Sequence, residues 1–242
     1  MPFSPTLMEY LTLNKPKLSI PLWGLIRDDR YSDHTGPAFG CMFSKSHSCD
    51  GKWVDGLLLF PSPLHAEIYR LWLQSRGDGG WRRFCTTDRD FARIVGNLQN
   101  ERLQLWIAAG FAASETKQLL LDENRLLMTS AIGIDLPLTR DEDGNEVTLR
   151  LPNAAIRILQ QLFDGGSGSL ASAGDERPGK WPACDDDAWD EGAADALARI
   201  TTRDYVDYQK DWGNERPAVA LAQFDQAMRT WLFFGNTAEQ WH

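Results

Sequence analysis

The chain has 242 residues, 43% of them hydrophobic and 24% charged, ordinary values for a globular protein that exclude a wholly disordered or fibrous chain. Its 25 Lys and Arg stand against 34 Asp and Glu, a net charge of -9 that repels a phosphate backbone and argues against nucleic-acid binding. The longest nearly apolar run, residues 106–113, falls far short of the roughly 20 residues of a membrane span.

Met1-Pro2-Phe3-Ser4-Pro5 lacks the basic-then-apolar pattern of a secretory signal. With Cys41, Cys49, Cys85 and Cys184 too few and too scattered for a disulfide framework, the expectation is a cytoplasmic protein with reduced thiols and no membrane contact.

In chain order, Leu57-Leu58-Leu59-Phe60 is an apolar run of strand length, ended by Pro61-Ser62-Pro63. Ser62 suits an N-cap, and Pro63 suits the first helical position because its missing N–H would have been unpaired there. Leu64, Ile68, Leu71, Trp72 and Ser75 then trace one side of a helix stopped by Gly77, Gly79 and Gly80. A second unit follows, with a strand at 81–85, Thr87 and Asp90 as a capping-box variant, and a helical stripe of Phe91, Ile94, Val95 and Leu98.

Residues 103–109, 117–121 and 125–136 read as strands of a largely antiparallel sheet. The polar run 140–145 reads as the turn of a β-hairpin between 132–138 and 146–151. Asn153 begins a helix with Ala155, Ile158, Leu159 and Leu162 on one face.

Composition changes at Gly165-Gly166-Ser167-Gly168-Ser169, which is flexible-linker chemistry. Beyond it, Trp189, Ala193, Ala196, Leu197 and Ile200 form one helical stripe, and Leu221, Phe224, Met228, Trp231 and Leu232 form another. The expected organisation is an α+β domain over 1–163, a Gly/Ser-rich linker or loop over 164–184, and a helical segment over 185–242 packing back on the sheet. The fold class that follows is α+β, an antiparallel or mixed sheet with two early helices and a mostly helical C-terminal third.

Motifs of chemistry are sparse. His34, Cys41, His47 and Cys49 are the only cluster of soft ligands, but no Cys-x-x-Cys occurs and His47-x-Cys49 is too tight for an ordinary chelating pair. They read as a loop with incidental His and a buried Cys, with zinc as the alternative. Asp141-x-Asp143-x-Asn145 imitates a calcium loop, yet Glu146 stands at its sixth position and Pro152 at its twelfth, so a hairpin turn explains it better. His65, early on the first helix, is placed at that helix's solvent edge. No phosphate-binding loop, dinucleotide fingerprint or nucleophile elbow is present. No catalytic residue, metal or cofactor is assigned.

Charge is uneven. Residues 164–242 carry 15 acids and 7 bases, and Asp185-Asp186-Asp187 stands directly before the Trp189 stripe. Acids there suit first the positive end of a helix, with an acidic docking surface as the alternative that does not exclude it. Ten tryptophans are well above ordinary usage. Trp72, Trp106, Trp189 and Trp231 fall on apolar stripes, whereas Trp23, Trp53, Trp81, Trp181, Trp212 and Trp241 sit beside Gly, Pro or charge.

In size, acidity, tryptophan content and lack of a catalytic motif the chain resembles bacterial toxin immunity proteins, cytosolic inhibitors that bind and block a toxin. The resemblance implies a non-catalytic module with a protein partner, such as a basic toxin domain, at Asp185, Asp186, Asp187 and Trp189. A hydrolase working through dispersed carboxylates and a zinc- or glycan-binding accessory domain remain the alternatives.

Overall fold

One long strand organises the molecule. The computed structural model describes residues 10–11, 21–28, 39–41, 46–47, 53–54, 56–87, 102–140, 147–150, 186–213 and 218–235. Strands are numbered in chain order: β1 (Tyr10–Leu11), β2 (Trp23–Asp28), β3 (Phe39–Cys41), β4 (Ser46–His47), β5 (Trp53–Val54), β6 (Gly56–Leu59), β7 (Trp81–Cys85), β8 (Arg102–Ala113), β9 (Leu119–Leu121), β10 (Thr129–Arg140), β11 (Val147–Arg150), β12 (Thr202–Asp204), β13 (Ala220–Asp225) and β14 (Thr230–Phe234). The helices are α1 (Pro63–Ser75), α2 (Asp186–Ala198) and α3 (Tyr205–Lys210).

β8 pairs antiparallel with β10 along most of its length, with a bulge between Ser130 and Ala131. Along its opposite edge it pairs parallel with β6 (Leu57 opposite Leu105) and, further on, antiparallel with β13 (Ala222 opposite Phe111). β11 and β1 extend the sheet beyond β10, β14 extends it beyond β13, and β12 joins through β9, making nine strands among the described residues. A three-stranded sheet, β3-β2-β7, is stitched to the end of β6 by paired backbone hydrogen bonds of Trp23 and Phe60 at 2.8 and 2.7 Å.

The Gly110 position on β8 has no room for a side chain. A Cβ there would stand 2.5 Å from the Ala222 carbonyl oxygen, a backbone atom that moves only if β13 moves. Gly110→Ala is expected to destabilise the protein by about 1–3 kcal/mol, read as a lower urea midpoint at unchanged slope.

α1 begins at Pro63, but Ser62, though in N-cap position, makes no side-chain cap bond. The helix ends in a Schellman motif: Asp78 N–H donates to the Leu73 carbonyl and Gly77 N–H to the Gln74 carbonyl, with Gly77 at φ 85°. The buried face is broader than the expected stripe. His65, Glu67 and Tyr69 are closed off along with Leu64 and Ile68, while Leu71 and Trp72 are half-buried and Ser75 is exposed. His65 is thus inside, not at a solvent edge, because Phe111 of β8 and the backbone of Phe224 in β13 lie against it. α1 and α2 cover the sheet face that carries the main core, in which Phe60, Phe111 and Phe224 are the largest fully buried side chains.

The expected fold class is corrected at the C-terminal third. It is not mostly helical: after α2 come β12, the short α3, and the β13–β14 hairpin, and among the described residues strand outweighs helix. The stripe from Leu221 to Leu232 matches helical spacing, but Ala220, Ala222 and Phe224 equally match a strand. The chain reverses between Asp225 and Thr230 without glycine or proline, because Arg229 itself takes the left-handed conformation at φ 50°. With no glycine or proline to mark the turn, the hairpin reads as one continuous helix; the turn residue present is Asp225, whose carboxylate accepts the Met228 N–H at 2.9 Å.

Several expectations lie outside the described residues: the second early helix at 91–98, the hairpin turn expected at 140–145 beyond Arg140, the helix from Asn153, and the linker at 164–184. Trp72, Trp106, Trp189 and Trp231 are partly buried and pack on the main core, and so does Trp23. Trp81, although beside glycine and charge, is buried, with the Arg27 guanidinium 4.7 Å from its ring centre. Among the described residues no helix is long and apolar enough to cross a membrane.

Candidate functional site

α2 is a 13-residue helix with the sequence DDAWDEGAADALA, five carboxylates and no basic residue. Its inner face is built from small residues. Ala193 and Ala196 are fully buried, and a Cβ at Gly192 would meet Leu64 of α1 at 3.2 Å and the Gln226 amide at 2.8 Å. Small residues let the helix lie close on α1 and on the β13–β14 turn, and Asp190 and Glu191 are turned outward while Asp195 is held by arginines. Asp190 has 53% of its side chain exposed, and Glu191 is exposed beside it.

Of the residues expected at a partner surface, Asp186 and Asp187 form the first turn of α2, Asp185 lies outside the described residues, and Trp189 is half-buried against the core. Acids in a first turn stabilise the helix through its dipole by about 0.3–1 kcal/mol each, whatever else they do.

Two ion-pair networks hold α2 in place. In the first, Glu67 of α1, 1% exposed, accepts from Arg70 Nε at 2.7 Å and also from Arg70 Nη2, while Arg83 of β7 reaches its other oxygen at 2.9 Å. Arg70 in turn lies 3.6 Å from Asp190. Burial pushes the Glu67 carboxyl above the ordinary range. The hydrogen bond from Arg70 opposes that shift and the neighbouring Asp190 reinforces it.

In the second network Asp195 receives Arg229 in a two-pronged bond, Nη2 at 2.8 Å and Nε at 3.1 Å, and Arg199 Nε at 3.1 Å. The Arg229 bond, followed by the Arg199 bond, lowers the Asp195 carboxyl to about 2, against the smaller opposing effect of burial.

No family model, curated protein or solved structure matches this chain. Function is therefore read from the chemistry of the residues alone.

Glu67 and Asp190 are the nearest approach to a pair of working carboxylates. The geometry assigns them to structure: Glu67 is closed to solvent and both its oxygens are occupied by guanidinium groups. His65 is also interior, accepting the Phe224 N–H at Nε2 over 3.4 Å with its ring edge-on to Phe111 at 5.7 Å. Among the described residues no three His, Cys, Asp or Glu side chains converge as metal ligands. Cys41 stands on β3 and His47 on β4, in separate sheets, and His34 and Cys49 lie outside the described residues.

Sequence reasoning missed Glu67, Arg83, Asp195 and Arg229. The i, i+3 spacing of Glu67 and Arg70 was a readable signal. The partners on β7 and on the β13–β14 turn come together only in the folded chain.

Proposed function

We propose that this chain is a non-catalytic binding module that recognises a basic protein surface through α2, acting in the cytoplasm as an inhibitor of a toxin. One observation carries the reading: a 13-residue helix holds five carboxylates without a single base, and packs by small residues that turn Asp190 and Glu191 toward solvent. A carboxylate field of this kind attracts a basic partner from a distance and fixes its orientation at encounter. Trp189, at the root of the acidic face, supplies an aromatic edge of the type that anchors interfaces. The Arg70 and Arg229 ties keep the helix rigid, so little ordering is required on binding.

The test is capture from cells that express the protein, run in parallel with the Asp185→Lys/Asp186→Lys/Asp187→Lys variant. The expected result is one stoichiometric basic protein on the wild type, released by salt and absent from the variant, with the variant's melting temperature lowered only modestly. Equal capture by both proteins, or an acidic partner, would overturn the reading.

A further inference from the structure

A cavity of about 340 Å³ opens where the turn before β9, the segment between α2 and β12, and β14 meet. We infer that it is a binding site for a small planar-ring phosphate, a mononucleotide or another aryl phosphate, and this stands independently of the α2 surface.

Its wall combines two cations, Lys117 and Arg199, two hydroxyls, Thr201 and Thr230, and two aromatic rings, Trp231 and Phe233, with no carboxylate. In a chain of net charge -9 such a lining is a local reversal of sign. The volume lies at the lower end of ligand pockets, about 300–1,000 Å³, and suits a ligand of one ring system with an attached anion.

Each group is held ready. Arg199 spends only its Nε–H on Asp195, leaving its two terminal amino groups. Among the described residues Lys117 Nζ has no carboxylate within ion-pair distance, and the hydroxyls of Thr201 and Thr230 make no hydrogen bond. Trp231 is fixed by its Nε1–H donating to the Ala196 carbonyl at 3.1 Å and by edge-to-face contacts with Phe111 and Phe224 at 5.8 and 5.4 Å. It is therefore a preset platform for a flat ring, and Phe233, two residues on along β14, shares its side of the strand.

Lys117 supplies an independent sign. It sits at φ 62°, where glycine is the unstrained choice, in a turn already closed by the Ser114 and Gln118 backbone bonds and by the Ser114 and Thr116 hydroxyls. Nothing in the turn needs a lysine side chain. Lys117 thus keeps a cation at a left-handed position on the cavity wall, at the expense of backbone ease. A phosphate dianion matches two cations and two hydroxyl donors, and the rings take what is attached to it.

Isothermal titration of the full chain with adenosine 5′-monophosphate and phenyl phosphate, alongside adenosine and inorganic phosphate, tests the inference. Saturable one-to-one binding is expected for a ring phosphate, with adenosine and inorganic phosphate each at least about tenfold weaker. Binding of the nucleotide alone would name a nucleotide as the source, and binding of both an aryl phosphate in general. Lys117→Gly is expected to weaken binding at least about tenfold while holding or raising the melting temperature, and Arg199→Gln to weaken it similarly. Absence of saturable binding by the wild type, or affinity unchanged in both variants, would overturn the site.

Discussion

Glu67→Ala is expected to lower the unfolding free energy by about 3–5 kcal/mol, a large part of the total stability of a domain. The carboxylate is 1% exposed and holds Arg70 and Arg83, whose side chains are only 20% and 13% exposed. Removing it takes from both guanidinium groups the buried carboxylate that they share. Asp190 compensates Arg70 in part from 3.6 Å. Arg70→Ala should cost less, because Arg83 still pairs with Glu67 and Asp190 is free to turn to solvent. Urea unfolding of the two variants beside the wild type measures the order. Equal and small losses would show that the network is not what fastens α1 to β7.

The second large effect is a dependence on pH. Burial lowers the His65 pKa to about 4, whereas an unfolded histidine titrates near 6.5. Below pH 6.5 the unfolded chain takes up a proton that the folded chain refuses, so stability falls as the pH falls. The loss begins near pH 6.5 and approaches about 3 kcal/mol by pH 4. Above pH 6.5 both states hold the ring neutral and the contribution vanishes. Asp195, titrating near 2 in the fold, loses its contribution only below the ordinary carboxylate range. Glu67, raised by burial, acts in the opposite sense above that range, and does so equally in the wild type and in a His65 variant. His65→Gln keeps an acceptor for the Phe224 N–H and removes the titration. The expected result is a melting temperature that drops between pH 7 and 4.5 in the wild type and drops much less in the variant. Parallel curves would place the acid sensitivity elsewhere.

Legibility followed locality. α1 could be read from residues within one segment: Pro63 at its first position, apolar residues three and four apart, and Gly77 in the left-handed terminating position. β6 and the β8–β10 pair were likewise visible as apolar runs, although their lengths and the parallel pairing of β6 with β8 were not. α2 was visible from Trp189, Ala193, Ala196 and Leu197. The β13–β14 hairpin was hidden because Arg229 does the work of a glycine, and a left-handed arginine leaves no mark in sequence.

The site divides the same way. The acidity of α2 is a local property and was readable. The buried Glu67–Arg83 pair and the Asp195–Arg229 pair, separated by 34 residues in the second case, exist only because the fold brings their elements together. His65 illustrates the same limit: its helical position suggested solvent, and β13 decided otherwise.

The central claim, recognition of a basic protein by the acidic face of α2, is tested most directly by association kinetics with the captured partner. The rate constant is measured for the wild type and for the Asp185→Lys/Asp186→Lys/Asp187→Lys variant as ionic strength rises. The Debye length shrinks from about 30 Å at 0.01 M to about 8 Å at 0.15 M, so the wild-type on-rate should fall steeply across that interval. At low salt the variant should associate at least about tenfold more slowly, with a much flatter dependence on salt. The same on-rate for both proteins at every ionic strength would contradict the account.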